Sequence, residues 1–210
     1  RRGRGDENLA GVVRVTASEG FMRPLVRVLA AVRLRAPALT LELSSESRLE
    51  DLARREADIG LRIVSTSSPS LVEKRAGRVR LAVFAARSYV ERRLPSAHLG
   101  RGQARHHDWV GLDRTIAKLP SERWMRDCGA ERFVLRTSSP NALEEAVSAG
   151  MGLGVLGEEQ GAAQRLVRID TEDSPPPVDV FVVFHRDARR TPRIAAVLRA
   201  IEAELRRALV

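Results

Sequence analysis

The sequence predicts an α/β fold built on a parallel sheet with helices packed over it. Three observations carry that reading. Segments with a two-residue period alternate with segments of helical period between Val12 and Ile63. Short polar residues stand where strand hands over to helix, beginning with Thr16-Ala17-Ser18-Glu19-Gly20. A long helical stripe near the C-terminus needs a sheet to cover.

The elements follow in order. Val12–Thr16 alternates and reads as a strand. Phe21, Leu25, Val28, Leu29 and Val32 form a helical stripe that Pro37 terminates. Leu39, Leu41 and Leu43 share one strand face. A cap-rich Ser44-Ser45-Glu46-Ser47 leads into a short helix with Leu49, Leu52 and Ala53 inside. Ala57–Ile63 is the third strand. Leu71–Lys74 and Val79–Ala85 are two more, with Gly77 as the turn between them.

A second unit starts after Ala86. Ser88–Leu94 reads as a helix, and Pro95–His107 as a loop with one helical turn. Trp109–Leu112 and Phe133–Arg136 read as strands, Glu122–Cys128 and Pro140–Ala149 as helices. Leu153–Leu156 and Leu166–Ile169 are further strands. Ser174–Pro177 is a rigid connector before the apolar strand Val178–Phe184. The last helix, Pro192–Leu209, buries Ile194, Val197, Leu198, Ile201 and Leu205 and starts on a proline, as helices favour.

Composition narrows the function. The chain has 210 residues, 43 % hydrophobic and 30 % charged, which suits a globular protein with a core. Cys128 is the single cysteine, so no intramolecular disulfide can form and a reducing cytoplasm is expected. The opening RRGRGDENLA has no apolar core of a signal peptide, and no apolar run is long enough to cross a bilayer. Net charge is +9, which attracts polyanions, but the arginines are scattered and aromatic residues make up only 4 %. That pattern fits an arginine-decorated surface better than a nucleic-acid groove.

Catalytic motifs fail on context. GLGVLG, Gly152–Gly157, spells a dinucleotide fingerprint, but its own middle reads as the strand that should precede it. Its glycines are expected to end a helix and let backbone pass close. His98, His106, His107 and His185 lack metal-ligand spacing. There is no G-x-S-x-G elbow and no P-loop. No catalytic residue, metal or cofactor is expected.

What remains is a set of three polar junctions: Thr16–Gly20, Ser44–Ser47 and Thr137-Ser138-Ser139-Pro140-Asn141. In an open α/β sheet such junctions lie at the carboxyl ends of parallel strands, where ligands bind. Helix N-termini there offer free N–H groups to an anion, and Arg62 at the end of the third strand could pair one. Each junction also has an ordinary explanation, since Ser, Thr and Asn are the usual N-caps. Glu19 and Glu46 fit either a helix dipole or a ligand with donors.

These stretches resemble the effector-binding domain of LysR-type transcriptional regulators. GVVRVTASEGF resembles that family's opening strand and helix start. LTLELSSESRLEDLARREADIGLRI, Leu39–Ile63, resembles its second strand–helix–strand step and is the most specific match. LVEKRAGRVRLAVFAARSYVERR, Leu71–Arg93, resembles the paired strands that cross into the second lobe. LRTSSPNALEEAVSAGMGLGVL, Leu135–Leu156, and FHRDARRTPRIAAVLRAI, Phe184–Ile201, resemble the second-lobe helix with its glycine-rich strand and the returning strand with its closing helix.

The resemblance implies two Rossmann-like lobes of the periplasmic-binding-protein type II fold joined by two crossover strands. Residues 1–10 would be a linker remnant, 11–84 plus 184–210 lobe I, and 85–183 lobe II. It implies a small-molecule effector, plausibly a carboxylate, held in the interlobe cleft by Ser18, Glu19, Ser44, Ser45, Arg62, Thr137, Ser138 and Ser139. It also implies a cytoplasmic homodimer or higher homo-oligomer, with the two subunits' lobes side by side and antiparallel, and no membrane partner. The family's winged helix-turn-helix lies outside these residues, so DNA would be bound only through it. Many members carry proline where this chain has Gly157, which would loosen one cleft wall. Two rivals share the scaffold. One is a transporter's solute-binding protein. The other is an enzyme, for which Glu19 is the only carboxylate to nominate.

Overall fold

The computed structural model describes residues 9–45, 52, 57–63, 65, 69–113 and 119–209. The expected linker remnant falls outside them except for Leu9 and Ala10. The expected helix around Leu49 and Ala53 also falls outside, except for Leu52, which is helical and fully buried.

In chain order the strands are β1 (Gly11–Ala17), β2 (Leu39–Ser44), β3 (Ile59–Arg62), β4 (Leu71–Val79), β5 (Leu81–Ala85), β6 (His98–Leu99), β7 (Asp108–Leu112), β8 (Arg132–Thr137), β9 (Gly154–Gly157), β10 (Val167–Thr171) and β11 (Val178–His185). Among the described residues the helices of six residues or more are α1 (Met22–Arg35), α2 (Arg87–Arg93), α3 (Pro120–Asp127), α4 (Pro140–Ser148), α5 (Glu158–Ala163) and α6 (Pro192–Ala208).

The chain forms two compact units, Arg1–Arg78 with Asp179–Val210, and Val79–Val178. The sequence suggested changes of unit at 84/85 and 183/184. They fall earlier because β5 pairs with β9 and β10, which ties it to the second unit, while β11 pairs with β3.

The first unit has one sheet in the order β2-β1-β3-β11-β4. β1 runs parallel to β2, from Gly11 opposite Leu39 to Thr16 opposite Ser44, and parallel to β3, with Ala17 opposite Leu61. β11 is antiparallel to β3. All four residues of β3 are buried, the mark of a strand covered on both faces. α1 buries Leu25, Val28, Leu29 and Val32, and α6 buries Ile194, Val197, Leu198, Ile201 and Leu205. Each such side chain contributes about 1.5–3 kcal/mol when taken fully from water. Gly77 is not a turn: it lies inside a continuous β4 at φ 152°, and the strand ends before Arg80.

In the second unit the sheet order is β6-β10-β5-β9, with β5 antiparallel to both neighbours. β7 and β8 form a parallel pair, and an isolated bridge joins Trp109 of β7 to Leu153, the residue before β9. Trp109 is fully buried, and its indole N–H donates to the Ala104 carbonyl at 2.9 Å. The segment expected as loop, Pro95–His107, holds β6 as well as a single 3-10 turn. α5 had no apolar period to announce it. It is seated by Gly161, where a Cβ would lie 2.5 Å from the Phe84 ring, and by Gln160, whose Oε1 accepts the Gly157 N–H at 3.1 Å. Gly152 lets backbone pass close, as the sequence suggested, but α4 ends ahead of these glycines, at Ser148. A Cβ at Gly152 would sit 2.5 Å from the Asp108 carbonyl oxygen, and one at Gly154 would overlap Val147.

Candidate functional site

In the first unit the parallel register puts the carboxyl ends of β1, β2 and β3 side by side. Ser18 follows β1 and continues its pairing, donating its N–H to the Leu61 carbonyl at 3.0 Å. Its own carbonyl accepts from Phe21 N–H at 2.9 Å, which closes a 3-10 turn over Glu19–Phe21 ahead of α1. The Ser18 side chain makes no capping bond. A serine at a helix entrance normally spends its hydroxyl on an N–H of the first turn, so this one remains available to a ligand.

Arg62 ends β3 and is 3 % exposed. Its Nη2 donates to Thr16 Oγ1 at 3.0 Å and its Nη1 to the Leu61 carbonyl at 3.2 Å. Gly60, two residues earlier on the same face, makes room for Leu52: a Cβ there would lie 2.6 Å from Leu52 Cδ1, and only in ordinary contact with the Arg62 guanidinium. Arg62 therefore ties the ends of β3 and β1 together and brings a buried positive charge to the end of β1. Thr16, 1 % exposed, belongs to the first polar junction but was not among the expected effector contacts. Its only sequence signal is a hydroxyl between Val15 and Ala17 in an otherwise apolar strand end. Ser44 and Ser45 are exposed at the end of β2, and Glu19 opens the 3-10 turn, half-buried. Glu46 and Ser47 lie outside the described residues.

In the second unit Thr137 ends β8 opposite Leu112 of β7. Thr137 Oγ1 accepts the Ser139 N–H at 3.0 Å, and Ser139 Oγ accepts the Ala142 N–H at 3.1 Å. Ser139 is thus the N-cap of α4. Ser138 is exposed between them. Below the junction lies a pair that the sequence did not reveal. Glu122 of α3, 1 % exposed, accepts the Leu112 N–H through Oε1 at 2.9 Å. Arg136 Nη1 donates to the Leu112 carbonyl at 2.8 Å and to Glu122 Oε2 at 3.2 Å, while its guanidinium lies 3.7 Å over the Phe133 ring. Both polar groups of Leu112 are therefore held by side chains. Asp113 N–H donates to the Thr137 carbonyl at 2.9 Å, which extends the clamp to the junction.

The second unit also contains a buried imidazole. His107 Nδ1 lies 3.3 Å from Tyr89 Oη, which accepts the Asp108 N–H at 3.0 Å. The direction of that contact depends on the imidazole tautomer. Burial pushes the His107 pKa down, and the nearby Arg93 and His106 push the same way. Among the described residues no group of three or more His, Cys, Asp or Glu side chains could hold a metal ion, and no helix is long and apolar enough to cross a membrane.

Comparison with known proteins gives a consistent result. The family model for the LysR substrate binding domain matches residues 6–206. An HTH-type transcriptional regulator of Xanthomonas campestris pv. campestris (strain 8004) is 26 % identical over 180 residues, covering 76 % of this chain and 49 % of that protein. The chain thus spans about half the length of the curated relative it matches. CrgA, a LysR-type transcriptional regulator from Neisseria meningitidis, superposes with a TM-score of 0.78 at 20 % identity, over 93 % of this chain and 69 % of that one. The CcmR regulatory domain of Synechocystis PCC6803, solved in complex with 2-PG, superposes with a TM-score of 0.76 at 14 % identity, over 95 % of this chain and all of that one. These likenesses are to regulators, and they favour a regulatory domain over a transporter's solute-binding protein. With a type II periplasmic-binding-protein-like fold and a family match over nearly its whole length, the chain belongs to the LysR substrate binding domain family.

Proposed function

We propose that this chain is the effector-sensing part of a cytoplasmic LysR-type transcription regulator, and that it acts by binding rather than by catalysis. A small metabolite with a carboxylate engages the strand ends of both lobes. Ser18, Ser44, Ser45 and Arg62 serve from the first, Thr137, Ser138 and Ser139 from the second, with Glu19 favouring ligand donors. DNA is bound by a separate winged helix-turn-helix. The effector can shift the regulator only by its differential affinity for two arrangements.

The observation that carries this reading is the Ser18 hydroxyl that makes no capping bond, two residues on from Thr16, which holds the buried Arg62. It supplies a donor and a positive charge at one strand end, the chemistry that a carboxylate requires. A homodimer with antiparallel lobes is supported by exposed apolar side chains in both lobes, Val26 on α1 at 55 % and Val134 on β8 at 46 %.

The test is a thermal-shift series against small carboxylates, amino acids and aromatic acids. A ligand at 100 times its Kd stabilises the native state by about 2.7 kcal/mol. A concentration-dependent rise in Tm, lost in Ser18→Ala and Thr137→Val, is expected. Retention of the full rise in both variants would remove these residues from the site.

A further inference from the structure

Helices α1 and α6 pack side by side in the first unit and leave an open groove of about 530 Å³ along their outer seam. Its floor is small and apolar, with Ala31 from α1 and Ala196, Ala200 and Ala203 from α6. Leu34 forms an apolar lip at 86 % exposure, a costly position for a leucine that nothing covers. The rim is strongly basic. Arg27 and Arg35 stand on the α1 side and Arg199 on the α6 side, and none of the three makes an ion pair or hydrogen bond among the described residues. The only rim carboxylate, Glu204, faces Arg207 at 3.4 Å.

We propose that this groove docks an acidic amphipathic helix of a partner protein. Three features fix the occupant. An alanine floor between two helices admits the larger side chains of a third, entering at i, i+3 or i+4, and i+7. The span from Ala196 to Arg207 rises roughly 16 Å, about three helical turns, which seats one such repeat. Three unpaired guanidiniums then meet carboxylates flanking the apolar stripe, a complementarity that also speeds encounter. A groove-to-groove contact with a second copy would bring two basic rims together. Duplex DNA would use the rim but has no use for an apolar floor. The surface is distinct from the strand-end site, and its occupation does not depend on the effector reading.

The experiment uses the 210-residue chain and a fluorescein-labelled helical peptide with leucine at i, i+3 or i+4, and i+7 and glutamate at most other positions. Fluorescence anisotropy should show saturable binding. A scrambled peptide of the same composition should bind about tenfold more weakly or worse, because the apolar stripe is lost. Arg199→Glu, which reverses a rim charge, and Ala31→Trp, which fills the floor, should each weaken binding about tenfold or more with Tm unchanged. Equal binding of the scrambled peptide, or indifference to Ala31→Trp, would overturn the proposal by reducing the rim to a nonspecific polyanion surface. Displacement of the peptide by duplex DNA with the same dependence on Arg199 would overturn it in favour of nucleic acid. Sedimentation velocity supplies the last arm: a change of mass in either variant would make the groove a self-contact and likewise overturn the proposal.

Discussion

At the first junction Thr16-Ala17-Ser18 leads into a 3-10 turn, and at the third Thr137-Ser138-Ser139 leads straight into α4. The residue types are nearly the same and their use is not. Ser139 places Oγ on the Ala142 N–H, and Thr137 places Oγ1 on the Ser139 N–H. The Ser18 side chain caps nothing, and the turn ahead of α1 is closed by its backbone carbonyl. In the second unit Arg136 is paired with a buried carboxylate, Glu122, and in the first Arg62 donates to the Thr16 hydroxyl and the Leu61 carbonyl. At the third junction both hydroxyls hold backbone N–H groups, whereas at the first the Ser18 side chain makes no capping bond.

The largest effect should come from breaking the second junction's support. Glu122→Ala leaves the Leu112 N–H and the Arg136 guanidinium without their buried acceptor. Arg136 remains about one-third exposed, so water can recover part of the loss. A destabilisation of about 2–4 kcal/mol is expected, read from urea unfolding. A loss below about 1 kcal/mol would mean that Leu112 finds another partner and that the clamp is dispensable.

A smaller effect separates the two serines directly. Ser139→Ala removes a real N-cap and should cost about 1 kcal/mol. The same substitution at Ser18 should stay within about 0.5 kcal/mol of the parent. Equal losses in urea unfolding would erase the contrast between the junctions.

Acid adds a change confined to the second unit. The folded-state pKa of His107 is lowered by burial and by Arg93, so the unfolded chain takes up the proton first. Stability should therefore be level above the unfolded value of about 6.5 and fall as pH drops from there towards the folded pKa. Urea midpoints between about pH 8 and pH 5.5 would show the decline, and His107→Gln should flatten it. An unchanged slope in that variant would assign the decline to other groups.

Much of the scaffold is legible in the sequence because period and punctuation agree there. The α1 stripe ends where Ala36 and Pro37 must break it, and the α6 stripe starts on Pro192. Gly77 misled because glycine marks turns and irregular strands alike, and only the pairing partners of β4 decide between them. Glu122 and Arg136 were opaque for a different reason. A glutamate on a short helix reads as solvent-facing, and the arginine that justifies its burial arrives 14 residues later on another element. The serine junctions could be located from sequence, but not their use, since capping depends on whether the first turn is α or 3-10.

The smallest expected stability effect carries the most functional weight. Ser18→Ala removes one hydroxyl that makes no capping bond and lies at a half-buried position. The backbone bonds of Ser18, from its N–H to Leu61 and to its carbonyl from Phe21, survive the substitution. So does the Arg62–Thr16 contact. The variant should unfold with the parent while its carboxylate-induced Tm rise shrinks, since a lost hydrogen bond to a charged ligand is worth about 1.5–3 kcal/mol, or about ten- to a hundredfold in Kd. Thr137→Val sharpens the contrast from the other side. Its hydroxyl already accepts the Ser139 N–H, so stability and ligand response should fall together. If Ser18→Ala lowered both in the same proportion, the first junction would be structural like the third, and Arg62 would be left as the first unit's principal ligand contact.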